Sequence, residues 1–90
     1  MSCPPLIEYV LTDHAKFEMA QRHISEADVD FVLASPEQTE LVRLGRCVYQ
    51  SKIVMESESP KLLRVFVDVD RDPPEVVTAY HTSKINKYWR

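Results

Sequence analysis

His14 and Arg22 are the two residues of this 90-residue chain whose types and spacing most directly suggest chemistry. Eight residues are roughly two turns of α-helix, so a helix between them would set both side chains on one face. An imidazole moves protons near neutral pH and a guanidinium holds an anion, so a shared face lets them act on one phosphate. Further along, Thr78 and Tyr80 are two apart and project from the same side of a strand, where a hydroxyl can hold or protonate a charged oxygen. Arg46 and Tyr49 flank a hairpin signal and could join them. Each has a plainer reading. His14 can lock a helix start, Arg22 can pair with Asp28 or Glu26, and Arg46, Tyr49, Thr78 and Tyr80 are ordinary residues of a half-buried sheet.

A second group lies at the end of the chain. Lys84, Lys87 and Arg90 interleave with Tyr88 and Trp89, the basic and aromatic mixture of a surface for single-stranded nucleic acid. Ile85, Tyr88 and Trp89 also recur at helical spacing, and the preferred reading of that spacing is a last turn anchored by packing. Two cysteines, Cys3 and Cys47, and three separated histidines, His14, His23 and His81, give no closely spaced ligand pairs. No metal and no cofactor is expected. Both cysteines read as reduced thiols, because a disulfide-stapled mini-protein carries four or more.

These side chains need elements to position them. Thr12 offers an N-cap hydroxyl and Asp13 a charge suited to a helix N-terminus, predicting a first helix to about His23 with Ala15, Met19 and Ala20 as its apolar stripe. Ser25 to Asp28 resembles a capping box and Ile24 can staple onto Val29, predicting a second helix that Ser35-Pro36 stops. From Glu37 the period changes to two. Gly45 then turns the chain into a strand over Arg46 to Met55, and a polar turn over Glu56 to Pro60 leads into a strand over Lys61 to Asp70. In that strand Leu63, Val65, Val67 and Val69 share the face expected to meet the helices. A fourth strand, Val76 to Tyr80, follows the tight Arg71-Asp72-Pro73-Pro74 turn. Leu6 to Leu11 reads as either a short strand or an extended lead-in.

Helices first and strands afterwards, joined by short loops, predict one α+β domain over residues 1–90: two helices packed on a four-stranded antiparallel sheet. Arg64, Phe66, Thr78 and Tyr80 would share the opposite face, which is where function is expected. His81 alternates away from that cluster.

The composition, 44% hydrophobic and 28% charged, is that of a folded chain rather than a disordered one. A domain this short buries only about 60% of its unfolded surface, so it should fold alone or with a copy of itself. No apolar run approaches the roughly 18 residues of a membrane span, and a cytoplasmic protein is the default. The net charge of −3 argues against nonspecific coating of nucleic acid, yet the distribution is uneven. Residues 1–40 hold two bases against eight acids, and residues 41–90 hold nine bases against six acids. The helical half is acidic and the sheet half basic.

Three segments in order resemble one uncharacterised domain-of-unknown-function family. They are Thr12-x-His14-Ala15-x3-Met19-x2-Arg22-x-Ile24-Ser25, then Gly45-Arg46-x-Val48-Tyr49-Gln50, then Val77-Thr78-x-Tyr80-x-Thr82-Ser83-Lys84-Ile85-x-Lys87-Tyr88-Trp89. That family is similar to the RelE-type toxins of bacterial toxin–antitoxin pairs and to the wider barnase, EndoU, colicin and RelE group of ribonucleases. The resemblance implies a RelE-like fold, a metal-independent endoribonuclease activity, RNA as substrate and an antitoxin-like protein partner. Such cleavage needs a base for the 2′-OH proton, an acid for the leaving 5′-oxygen and donors for the phosphorane charge. His14, Arg22, Arg46, Thr78 and Tyr80 are the candidates, with Arg64, Lys84, Lys87 and Arg90 on the RNA backbone. Two features depart from the toxin pattern: a pI near 5.5, and Glu18 where a basic residue is common in the family. The alternative is a non-catalytic module that binds a partner protein or dimerises on the same scaffold.

Overall fold

In a computed structural model, residues 3–54 and 59–90 are described. The sequence-predicted turn over Glu56 to Pro60 and the end of its preceding strand at Met55 lie largely outside them. The chain runs β1 (Val10–Leu11), α1 (Asp13–Gln21), α2 (Glu26–Ala34), β2 (Gln38–Arg43), β3 (Arg46–Ile53), β4 (Lys61–Asp68), β5 (Glu75–Thr82) and α3 (Ile85–Tyr88).

Both helix starts form as their sequences dictate. The Thr12 hydroxyl accepts from the Ala15 N–H at 3.1 Å and the Ser25 hydroxyl from the Asp28 N–H at 3.1 Å, each satisfying a backbone donor that the helix leaves open. Helix α1 stops at Gln21, two residues before the expected end at His23. The cause is local: His23 has φ 56°, the left-handed region that histidine enters more readily than most residues. The His23 N–H then bonds the Ala20 carbonyl and the Ile24 N–H bonds the Met19 carbonyl, closing the helix end as a Schellman motif. Ala15 and Met19 are buried as expected, whereas Ala20 faces outward.

The sheet has five strands in the order β1-β5-β4-β3-β2, not four, and it is not wholly antiparallel. The lead-in supplies the extra strand: Val10 and Leu11 pair in parallel with Glu75 and Val76. Strand β5 runs from Glu75 to Thr82, longer than Val76 to Tyr80, and β4 ends at Asp68 rather than Asp70. A register shift opposite Phe66 and Val67 lets both Val76 and Ala79 face the core although they are three apart.

Leu63, Val65 and Val67 of β4 are fully buried, with Cys47 and Tyr49 of β3 and Val76 and Ala79 of β5 beside them. Helices α1 and α2 cover that face with Ala15, Met19, Val29, Val32 and Leu33, while Val69 packs at the margin.

The expectation of two reduced thiols is overturned. Cys3 and Cys47 form a disulfide, with their Cα atoms 5.8 Å apart. The lead-in crosses the helix-facing side of β3, where the Tyr49 hydroxyl donates to the Pro4 carbonyl at 2.6 Å and the Leu6 N–H donates to the Leu33 carbonyl at 2.8 Å. Those bonds deliver Cys3 to Cys47. Among the described residues, no helix is long and apolar enough to cross a membrane.

Candidate functional site

Alternation along the strands sends a second set of side chains to the sheet face turned away from α1 and α2. Cross-strand pairing sets Phe66 beside Val48 and Thr78, and Arg64 beside Gln50 and Tyr80. Arg64 is the centre of this face. Its Nε donates to the Gln50 side-chain oxygen at 3.0 Å and its Nη1 to the Tyr80 hydroxyl at 2.8 Å. The guanidinium carbon also lies 4.1 Å from the Tyr88 ring centroid and 5.4 Å from that of Phe66, where the ring faces attract a cation.

Helix α3 and the residues after it lie across this face. The Gln50 amide donates to the Tyr88 carbonyl at 3.2 Å, the Gln38 amide donates to the Arg90 carbonyl at 2.7 Å, and the Gln38 oxygen accepts from the Arg90 N–H at 3.2 Å. The Arg90 guanidinium grips Glu40 with contacts of 2.5 and 3.1 Å, and the Lys52 ammonium sits 4.1 Å from the Trp89 ring centroid. The tail is therefore anchored by packing, and it carries its cations with it. One groove is lined by Arg64, Lys87, Tyr88, Trp89 and Arg90 with Glu40, and a second, beside it, by Lys52, Lys84 and Lys87 among others. Arg64, Lys84, Lys87 and Arg90 are thus brought to one side of the molecule. Burial raises the Tyr80 phenol above its ordinary value, while the Tyr80 hydroxyl, aided by Lys87 and Arg64, lowers that of Tyr88.

His14, Arg22 and Thr78 also come together, at the edge of β5, and the residue that joins them is Glu18. One Glu18 oxygen accepts from the Thr78 hydroxyl and lies 3.1 Å from the His14 Nε2; the other accepts from the Arg22 Nη2 at 2.9 Å. Arg22 therefore pairs with Glu18 of its own helix, one turn back, and not with Asp28 or Glu26. Its Nη1 donates to the Ala79 carbonyl at 2.8 Å, and its own carbonyl meets the His81 Nε2 at 3.1 Å. Helix α1 thereby covers the open edge of β5. His14 remains exposed, with 69% of its side-chain surface accessible.

Arg46 and Tyr80 do not join His14. Arg46 makes a two-pronged ion pair with Asp68, at 2.6 and 3.1 Å, near the Gly45 turn, and Tyr80 belongs to the Arg64 group. Tyr49 faces the core, where burial pushes its phenol up to about 12. The sequence assigns no role to Gln50 or Lys52, marks Glu18 only as a departure from the family pattern, and does not reveal that Tyr88 stacks on Arg64. For Glu18 a signal existed, since it stands four residues from both His14 and Arg22. Among the described residues no cluster of metal-ligating side chains occurs.

The Thr78 hydroxyl, with Arg22 and His14, holds the Glu18 carboxyl below its ordinary value of 4.5, and Arg46 likewise lowers Asp68. A depressed carboxylate contributes stability that is complete above its unfolded pKa and is lost as pH falls through the folded one. The urea midpoint is therefore expected to hold from pH 7 to about 5 and to fall below pH 4.5. Glu18→Gln should lower the midpoint at pH 7 and flatten the acid limb; an unchanged acid limb would deny Glu18 this role.

The features define an α+β domain with an acidic helical layer, a basic aromatic sheet face and a His-Glu-Thr-Arg cluster at the edge between them. Residues 11–81 match the family described as Domain of unknown function (DUF4258), and the chain belongs to it. His14, Glu18, Arg22 and Thr78 lie within the matched residues, and Lys84, Lys87 and Arg90 lie beyond them. No curated protein and no solved structure matches the chain.

Proposed function

We propose that the domain is a toxin-like, metal-independent endoribonuclease that takes single-stranded RNA across its basic aromatic face. The observation that carries this reading is the gathering of Arg64, Lys84, Lys87 and Arg90 with Tyr80, Tyr88 and Trp89 on one side of the sheet. Cations there can hold phosphates and half-buried rings can offer a face to bases, a combination that suits unpaired strands better than duplex. A RelE-like ancestry, resembled by the sequence motifs, is consistent with it.

The chemistry would start at His14. Neutral imidazole takes the 2′-OH proton, the 2′-oxygen attacks phosphorus, and the bond to the 5′-oxygen breaks. The products are a 2′,3′-cyclic phosphate and a 5′-hydroxyl, with the leaving oxygen protonated by solvent water, since Tyr80 is held in the Arg64 group. Glu18 orients the imidazole, and the Arg22 N–H groups not engaged by Glu18 and Ala79 can face the phosphorane. Thr78 lies on the same sheet face as Tyr80, so the cluster opens onto the proposed RNA path.

The test is labelled single-stranded RNA mixed with the purified protein, read by fluorescence anisotropy and by product end groups. Micromolar binding with a steep salt dependence is expected. Replacing Lys84 and Lys87 together by Ala should reduce the slope of log K against log salt by about 1.4, at about 0.7 per phosphate contact on a single strand. His14→Ala should remove cyclic-phosphate product and leave binding intact. Absence of both binding and cleavage would overturn the proposal. Binding with cleavage that survives His14→Ala would move the chemistry elsewhere.

A second reading, a partner-binding module without chemistry, is favoured by one observation. Glu18 and Arg22 neutralise each other and tie α1 to β5, which is also what a purely structural clamp does.

A further inference from the structure

On the other side of the sheet, a cavity of about 210 Å³ opens between α1 and α2. Its lining is apolar, from Leu11, Met19, Ala20 and Ile24, with Lys16 and Glu26 completing it. Met19 and Ile24 form a floor continuous with the core, at 3% and 8% exposure. Phe17 precedes Ala20 by three residues on α1, which sets it beside the mouth, and it is 62% exposed. An apolar cavity of about 150 Å³ accepts a benzene-sized group, so this one has room for a branched aliphatic side chain.

The charge around the cavity selects what could bring that side chain. From Asp13 to Asp30 the helical layer holds Asp13, Glu18, Glu26, Asp28 and Asp30 against Lys16 and Arg22. Arg22 and Glu18 are spent on each other, and Tyr9 donates to Asp30 at 3.0 Å without cancelling its charge. Across the helical layer as a whole four exposed acids therefore stand against one base, with Glu26 and Lys16 the charged pair at the cavity itself. Like charge opposes a second copy docking through the same surface, and it opposes nucleic acid; it attracts and steers a cationic partner.

We propose that the α1–α2 surface docks a Lys/Arg-rich segment of a partner protein, which seats one aliphatic side chain in the cavity beside Phe17. The arrangement is a small desolvated anchor within a charged rim, the anatomy in which a few residues carry most of the binding energy. The surface lies across the sheet from the proposed RNA face, so the two readings stand or fall separately.

The test uses the full chain and a fluorescein-labelled 14-residue amphipathic peptide of Leu and Lys, followed by anisotropy. Two control peptides replace every Lys by Glu, or every Leu by Ala. Micromolar binding is expected for the Leu/Lys peptide, none for Leu/Glu, and at least about tenfold weaker binding for Ala/Lys. Ala20→Trp fills the mouth and should weaken the Leu/Lys peptide at least about tenfold while RNA binding is unchanged. Glu26→Lys, exposed in the first turn of α2, should weaken it while lowering the thermal midpoint by only about 2–8 °C, the cost of about 0.3–1 kcal/mol for a cation at a helix start, and keeps the test decisive if Ala20→Trp fails to fold. Equal binding of the Leu and Ala peptides, or indifference to Ala20→Trp and Glu26→Lys, would overturn the proposal. So would sedimentation showing that the wild-type chain self-associates and Ala20→Trp does not, because the occupant would then be a second copy.

Discussion

Cys3→Ser, or reduction of the intact protein with dithiothreitol, is expected to lower the thermal midpoint by about 15–30 °C, the largest stability effect of any change that leaves the core side chains in place. The bond joins residues 44 apart. In the chain-entropy account, a loop of that length restrains the unfolded chain by about 4 kcal/mol. A domain of this size has a total stability of about 5–15 kcal/mol and shifts by about 4–8 °C per kcal/mol, which sets the expected range. Cys47 is fully buried in β3, so Cys3→Ser is the cleaner variant, leaving the core packing nearly intact. Circular dichroism melts with and without reductant, together with thiol counting in denaturant, check it. A shift below about 3 °C would mean that Pro4, Leu6 and Tyr49 hold the lead-in by themselves.

Arg64→Ala is expected to weaken RNA binding at least about tenfold and to loosen the C-terminal tail, because Arg64 belongs to the proposed RNA face and also holds the anchor. Its loss leaves the Gln50 side-chain oxygen without its donor and removes the cation beneath Tyr88. Gln50 is 4% exposed, and an unsatisfied polar group at such a site costs about 1–3 kcal/mol. The cost should reach Tyr88 and Trp89, since Gln50 also donates to the Tyr88 carbonyl. Trp89 is the single tryptophan, so its fluorescence reports the tail directly. A red shift with Arg64→Ala is expected, and Arg64→Lys should restore neither the emission nor the affinity, because an ammonium cannot bond Gln50 and Tyr80 while stacking on a ring. Normal emission with lost RNA binding would separate the two roles. Lost emission with normal binding would remove Arg64 from the RNA face.

The two surfaces make the uneven charge of the chain intelligible. An overall charge of −3 conceals an acidic helical layer on one side of the sheet and a basic strip on the other. A nucleic acid bound as proposed would meet the strip and not the average, so the acidic pI does not by itself exclude RNA. Because the helices would repel a strand that wrapped the domain, RNA held on the strip should be short and read by its backbone and stacked bases.

What the sequence determined by itself is what depends on neighbours within a few residues. The Thr12 and Ser25 caps, the stop at Ser35-Pro36, the Gly45 turn with φ 86° and the alternation that buries Leu63, Val65 and Val67 all follow from local chemistry. So does the shared side of Thr78 and Tyr80. The early stop of α1 was local too, but histidine in place of glycine at the left-handed position concealed it. Tertiary structure alone decided the rest. Glu18 meets Thr78 across 60 positions, Gln38 meets Arg90 across 52, and Cys3 meets Cys47 across 44. Spacing along the chain cannot express such contacts, because they exist only once α1 lies along the edge of β5, the tail crosses the sheet and the lead-in crosses β3. Arg46 shows the converse, since its residue type suited the site and its register placed Asp68 directly opposite, which claimed its charge first.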